Sequence, residues 1–163
     1  MKYVKIAATI LAIAFFYFTY LYIPNKIVFA GNDYIPKFSD SSKKDFLEIQ
    51  YWDKWMPYKK IEGHSFIFEN GKMEVGDAFL STAKCIYSID EVYVPVIFSS
   101  VDAGNDSSLI RYECNLYNRY FSPITRIQNY LIAKKVQQQL IPIMNAAKKY
   151  YSEPVIKDTS IRK

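Results

Sequence analysis

One histidine, two cysteines and a few acid pairs are where chemistry could begin in this 163-residue chain. His64 stands beside Ser65 in Glu62-Gly63-His64-Ser65. A Ser–His–Asp arrangement would need an acid brought in from elsewhere, and a lone histidine at a strand entry reads more simply as a turn residue. His64 with two cysteines held in strands, Cys85 and Cys114, does not make a standard zinc site. The five glycines stand singly, so no phosphate-cradling loop is present. The acid pairs Glu74/Asp77 and Asp90/Glu91 fall at turns, where solvated charge is the default. Tyr87 and Tyr112 could each donate a hydrogen bond to a bound carbonyl, and that is the most the residue types offer. The expectation is a non-catalytic chain that carries neither metal nor cofactor.

The element that must position everything else is apolar. Ile6 to Ile23 holds eighteen residues without charge, Gly or Pro. At about 1.5 Å of rise per residue it covers roughly 27 Å, close to the ~30 Å hydrocarbon layer of a bilayer. Backbone groups in hydrocarbon need internal partners, so such a run spans as a helix. Tyr17, Tyr20 and Tyr22 crowd its C-terminal end, as interfacial aromatics do, and Pro24-Asn25-Lys26 stops it. A cleaved signal is the competing reading, with Val28-Phe29-Ala30 as the cleavage site, although the apolar core is long and aromatic for one. We expect a retained single-pass anchor over residues 1–25. Lysines flank the run almost evenly, and since a tail of five residues leaves little to translocate, the N-terminus is expected in the cytoplasm and the remainder outside.

The net charge of +5 is concentrated at that anchor. From residue 31 onward 18 Lys and Arg face 16 Asp and Glu, so the domain itself is near neutral. Its basic pairs are scattered and lack interleaved aromatics, which argues against nucleic acid as a partner. With half the chain apolar and 17% of it aromatic, disorder is excluded.

Residues 26–151 read as one α+β domain, with 152–163 as a flexible tail. Lys26–Phe38 is extended, with Gly31-Asn32-Asp33 as a turn signal. Asp40-Ser41-Ser42 offers caps for a helix bearing Phe46 and Ile49. Trp52 and Trp55 share one face of a further turn that Pro57 ends. From Ile61 the period becomes that of strands. Asn70-Gly71 signals a hairpin, Gly76-Asp77 another turn, and residues 78–89 alternate strictly. Pro95 within Val92–Phe98 points to a sheet edge or bulge. Asp102–Asp106 reads as a loop, and Leu109–Leu116 as a strand with one wet face. If the strands form a meander, Cys85 and Cys114 lie two strands apart, too far for a bridge, and stay free and buried. A long helix starts at Ser122-Pro123 and runs to about Tyr151. Ile124, Ile127 and Leu131 form one stripe on it; Ile132, Val136, Leu140, Ile143 and Ala147 form another. Pro142 lies inside it.

Two motifs, Trp52-Asp53-Lys54-Trp55-Met56-Pro57 and Ser122-Pro123-Ile124-Thr125-Arg126, together with this element order, resemble the START-like helix-grip superfamily (SRPBCC). That superfamily includes the polyketide cyclase/dehydrase and lipid-transport families. The resemblance implies a curved antiparallel sheet packed on the long C-terminal helix around an apolar pocket. It implies Phe66, Phe68, Phe79, Tyr87, Phe98, Tyr112, Ile132, Val136, Leu140 and Met144 as pocket residues, with Trp52 and Trp55 closing the pocket. The expected function is a membrane-tethered binding domain for a hydrophobic small molecule or lipid. Two alternatives stand beside it: a tethered protein-interaction domain with a filled core, and a polyketide-cyclase-like enzyme using a pocket Tyr or His64.

Overall fold

The computed structural model describes residues 2–79, 81–104, 106–118 and 122–153. Helix α1 (Lys2–Tyr22) contains the apolar run and is long and apolar enough to cross a membrane. Nearly all of its side chains are exposed, Ile10, Leu11 and Ile13 among them, so the apolar surface is not covered by the other described residues. Its two threonine hydroxyls turn back onto the helix, bonding to the carbonyls of Lys5 and Phe15 at 3.0 and 2.8 Å. Polar groups satisfied within the helix are what an apolar surrounding requires.

Three residues, 23–25, lead from α1 into strand β1 (Lys26–Pro36). Asn118 fixes this connection. Its side chain donates to the Pro24 carbonyl at 2.9 Å and its backbone N–H to the Asn25 carbonyl at 2.8 Å. Its side-chain oxygen accepts in turn from Asn129 at 2.9 Å.

Helix α2 (Asp40–Leu47) and a 3₁₀ turn (Ile49–Lys54) follow β1. Ser39, one residue before the expected cap, accepts from the Ser42 N–H at 3.2 Å. Then come β2 (Lys60–Glu62), β3 (Ser65–Phe68), β4 (Gly71–Phe79), β5 (Thr82–Ile89), β6 (Val92–Gly104) and β7 (Ser107–Tyr117). Helix α3 (Pro123–Ser152) closes the domain, with Ser122 accepting from the Thr125 N–H as its cap. The seven strands form one antiparallel sheet in the order β1-β7-β6-β5-β4-β3-β2, so the first strand returns to pair with the last. The fold is α+β: a curved sheet wrapped on a long C-terminal helix, preceded by an apolar helix.

Several local expectations give way, each to a nameable cause. The turn at Gly31-Asn32-Asp33 does not form, and β1 runs straight through it. Gly31 is there because the Tyr112 ring on β7 occupies the space its Cβ would need. The bond after Ala30 therefore lies in the middle of a paired strand whose Ile27 is buried. Gly76-Asp77 does not turn the chain; it is an irregularity within β4, where the register with β5 shifts between Val75 and Ala78. The hairpin at Asn70-Gly71 forms one residue earlier than its signal, with Glu69-Asn70 as the loop and Gly71 paired to Phe68. Asp102, Ala103 and Gly104 are strand rather than loop, because β6 extends to Gly104, and Asn105 lies outside the described residues.

Pro95 is neither on an edge strand nor in a bulge. It pairs with Ile86 on β5, and the ladder to β7 begins one residue later, at Val96 opposite Cys114. Proline has no N–H to give, and β7 is not paired to β6 beyond this point. The first helical stripe on α3 is also not core: Ile124 and Leu131 are exposed, whereas Val136, Leu140, Ile143 and Ala147 are buried.

Candidate functional site

The inner faces of the strands alternate as their sequences require, and α3 lies across them. Ala83, Cys85, Tyr87 and Ile89 of β5 point inward, as do Val94, Val96 and Phe98 of β6. Ile110, Tyr112, Cys114 and Leu116 do the same on β7. With Val136, Leu140 and Met144 of α3 they make one continuous apolar core.

This core is where the structure places the sequence-derived pocket residues. Phe66, Phe68, Tyr87, Phe98, Tyr112, Val136, Leu140 and Met144 all belong to it, and Ile132 packs against it half-buried. The side chain of Phe79 lies outside the described residues. Trp52 and Trp55 sit over one end of this interior, edge to face at 5.8 Å. Trp52 reaches furthest in: its ring meets Phe98 at 5.4 Å and Phe66 at 6.1 Å, and its N–H donates to the Phe46 carbonyl at 2.8 Å. Trp55 stacks on Phe46 at 5.7 Å. The two indoles are thus the bottom of an aromatic cluster joining α2, the 3₁₀ turn and the end of α3.

Open space lies at the opposite end. A cleft of about 850 Å³ wraps the ends of β3 to β6 where they approach α3. Phe68 and Ile89 enter it from the inner face, Lys72 and Tyr93 from the outer face, and Lys135 with Gln138 from the helix. Sequence reasoning singled out Phe68 for the interior but missed the cleft itself, whose polar rim comes from turns that looked merely solvated. One of those turns, Asp90-Glu91, has both residues at positive φ, 48° and 64°. Two non-glycine residues in that region are strained. Lys135 holds the turn to α3 through Asp90 at 3.5 Å. The positive φ pair is what a two-residue hairpin needs, and no glycine announced it in the sequence.

Strand direction locates the cleft. Lys26, four residues beyond the end of α1, pairs with Tyr117 at the end of β7, and the start of β6 and the end of β5 lie at that same end of the sheet. The cleft therefore opens on the α1 side of the domain. Along α3, Lys135 is nine residues from Arg126, roughly 13 Å of helical rise. Arg126 is buried where α3 meets α1.

Two tyrosines inside the domain differ in how they are satisfied. Tyr112 is hydrogen-bonded to the side chain of Gln137 on α3, and burial raises its pKa above the ordinary phenol value. Tyr87 is fully buried, and its hydroxyl has no hydrogen-bond partner among the described residues. Burial pushes that hydroxyl up to about 12, so it stays protonated at neutral pH.

His64 is exposed on the β2–β3 turn beside Gly63, while Ser65 is buried on β3. Cys85 and Cys114 are free and buried. Both lie opposite Val96, one on each side of β6, which places them two strands apart at the same level. Among the described residues no three His, Cys, Asp or Glu side chains are grouped to hold a metal ion.

No protein-family model matches the chain, and no curated protein matches it in sequence. Solved structures do. Norcoclaurine synthase from Thalictrum flavum, as a point mutant with a transition-state analogue, superposes with a TM-score of 0.56 at 13% identity. The match covers 77% of this chain and 94% of that one. The same enzyme in complex with dopamine and hydroxybenzaldehyde gives 0.53 at 13% identity, covering 77% and 86%. Ara h 8.0201 gives 0.51 at 14% identity over 77% and 97%. A START superfamily protein from Mycobacterium smegmatis gives 0.49 at 12% identity over 76% and 97%. The chain has the helix-grip fold, shared with norcoclaurine synthase and Ara h 8.0201.

Proposed function

We propose that this chain is a membrane-tethered, non-catalytic helix-grip domain that takes up a hydrophobic small molecule or lipid through the cleft at the α1 end of its sheet. The observation that carries the reading is the position of that cleft. An opening with Phe68 and Ile89 inside and charged residues at its rim suits an amphipathic guest. Its place on the anchor side brings it toward the bilayer, where apolar guests are concentrated. The norcoclaurine synthase structure with dopamine and hydroxybenzaldehyde is of a protein with the same fold holding small aromatic molecules. Retention of the anchor is supported by β1, since cleavage after Ala30 would remove half of a paired strand together with buried Ile27. The N-terminus then lies in the cytoplasm and the domain outside.

Native mass spectrometry of the full chain released from detergent tests this directly. Lipid or another apolar adduct should accompany the protein, or be acquired on incubation with a lipid extract. A bare mass that takes up nothing removes the reading.

A second reading has an observation of its own. The core from Trp52 to Leu140 is continuous, and Tyr34, Tyr93 and Tyr117 are exposed outside it. These favour a tethered protein-interaction domain with a filled interior, which the bare mass would support.

A further inference from the structure

Tyr87 is fully buried, its hydroxyl has no hydrogen-bond partner among the described residues, and its ring packs against two residues that line the cleft. Its ring lies where Gly71 carries no side chain: a Cβ added to Gly71 would come within 2.5 Å of Cε1 and 3.0 Å of Cζ. The Phe68 ring is 5.9 Å away, centroid to centroid. Gly71 and Phe68 both line the cleft. On the strands beside it Tyr87 faces Met73 and Val94, both fully buried. The position thus combines apolar walls with a hydroxyl that has no partner among the described residues, on a ring that touches the lining of an opening. An unmade hydrogen bond at a buried hydroxyl is costly, so a partner is expected there in the working protein.

We propose that Tyr87 donates a hydrogen bond to the single acceptor atom, a ketone or ester carbonyl oxygen, of an otherwise apolar guest entering past Phe68. This rests on the uptake reading above and names the guest's chemistry. Tyr112 differs in that its hydroxyl oxygen already has a partner, the Gln137 side chain on α3. A phenol kept protonated by its surroundings is a donor throughout the neutral range. The specificity follows from the asymmetry of buried polar groups: a guest without an acceptor leaves the hydroxyl unpaired, and one with several polar atoms leaves its own unpaired.

The test compares two guests of matched shape, 2-propionylnaphthalene and 2-propylnaphthalene. Both are equilibrated together with the full chain in the same micelles and read as adducts by native mass spectrometry. The wild-type chain should favour the ketone, and Tyr87→Phe should reduce the ketone-to-hydrocarbon ratio about fivefold while hydrocarbon occupancy holds. Micellar partitioning is the same for both proteins and cancels between them. An unchanged ratio in Tyr87→Phe, as when Tyr87 bonds a water only, overturns the inference and leaves uptake intact. If neither guest binds either protein, the uptake reading falls with it.

Discussion

The guanidinium carbon of Arg126 lies 4.2 Å from the centroid of the Tyr20 ring. Arg126 is the fourth residue of α3 and Tyr20 lies in the last turn of α1, so the contact ties the apolar helix to the helix that the sheet grips. Arginine is seldom this buried, at 3% exposure. The ring face supplies attraction where water has been removed.

Replacing Arg126 by leucine should loosen the junction without unfolding the sheet, since the stripe Val136–Ala147 is untouched. A cation over an aromatic face contributes about 0.5–2 kcal/mol. The expected outcome is faster limited proteolysis around residues 23–25, with the main unfolding transition little changed. Proteolysis at the wild-type rate would show that Asn118 alone holds the linker.

Gly31 is fixed by a neighbour rather than by its own backbone. Gly31→Ala places a methyl group against the Tyr112 ring and should destabilise the chain by about 1–3 kcal/mol in denaturant unfolding. Shortening the obstacle, as Tyr112→Leu in the same chain, should recover part of that loss.

Trp52→Phe removes one hydrogen bond and keeps most of the ring. The Phe46 carbonyl then loses its buried donor, and a cost of about 1–3 kcal/mol is expected in the unfolding midpoint. Trp55→Phe should cost less, because the Trp55 N–H has no hydrogen-bond partner among the described residues.

The two thiols set an alkaline limit. Burial raises both, Cys114 to about 11 and Cys85 further still. In the unfolded chain they ionise near the ordinary thiol value, about 8.5. Above that value the unfolded chain has released protons that the folded chain retains, so stability is complete below it and falls as pH rises toward 11. Denaturant midpoints should therefore decline between pH 9 and 11. Replacing each cysteine by alanine should flatten that decline, and a thiol reagent at pH 8 should react only on unfolding.

Much of this fold is written in alternation. Cys85, Tyr87, Tyr112 and Cys114 face inward because their strands have a period of two. What eluded the sequence are relations across strands. Gly31 and Gly76 resemble turn residues until Tyr112 and the shifted β4–β5 register are seen. Pro95 resembles an edge residue until its missing N–H is found at the place where β7 leaves β6. The cleft was hidden for a related reason. Asp90 and Lys135 are forty-five residues apart in the chain, and only the wrapped sheet brings that turn to the helix. Ile124 and Leu131 carry the right period for a core face, but the face of α3 that is buried is the one bearing Arg126, Ala133 and Val136.

Only Ile23, Pro24 and Asn25 separate the apolar helix from the first strand. Drawn out fully, three residues reach roughly 10 Å. On the tethered reading so short a stem makes a poor ferry. Cargo would be lifted and surrendered within sight of the lipid headgroups, and any crossing of the aqueous space beyond would fall to a separate, diffusible carrier.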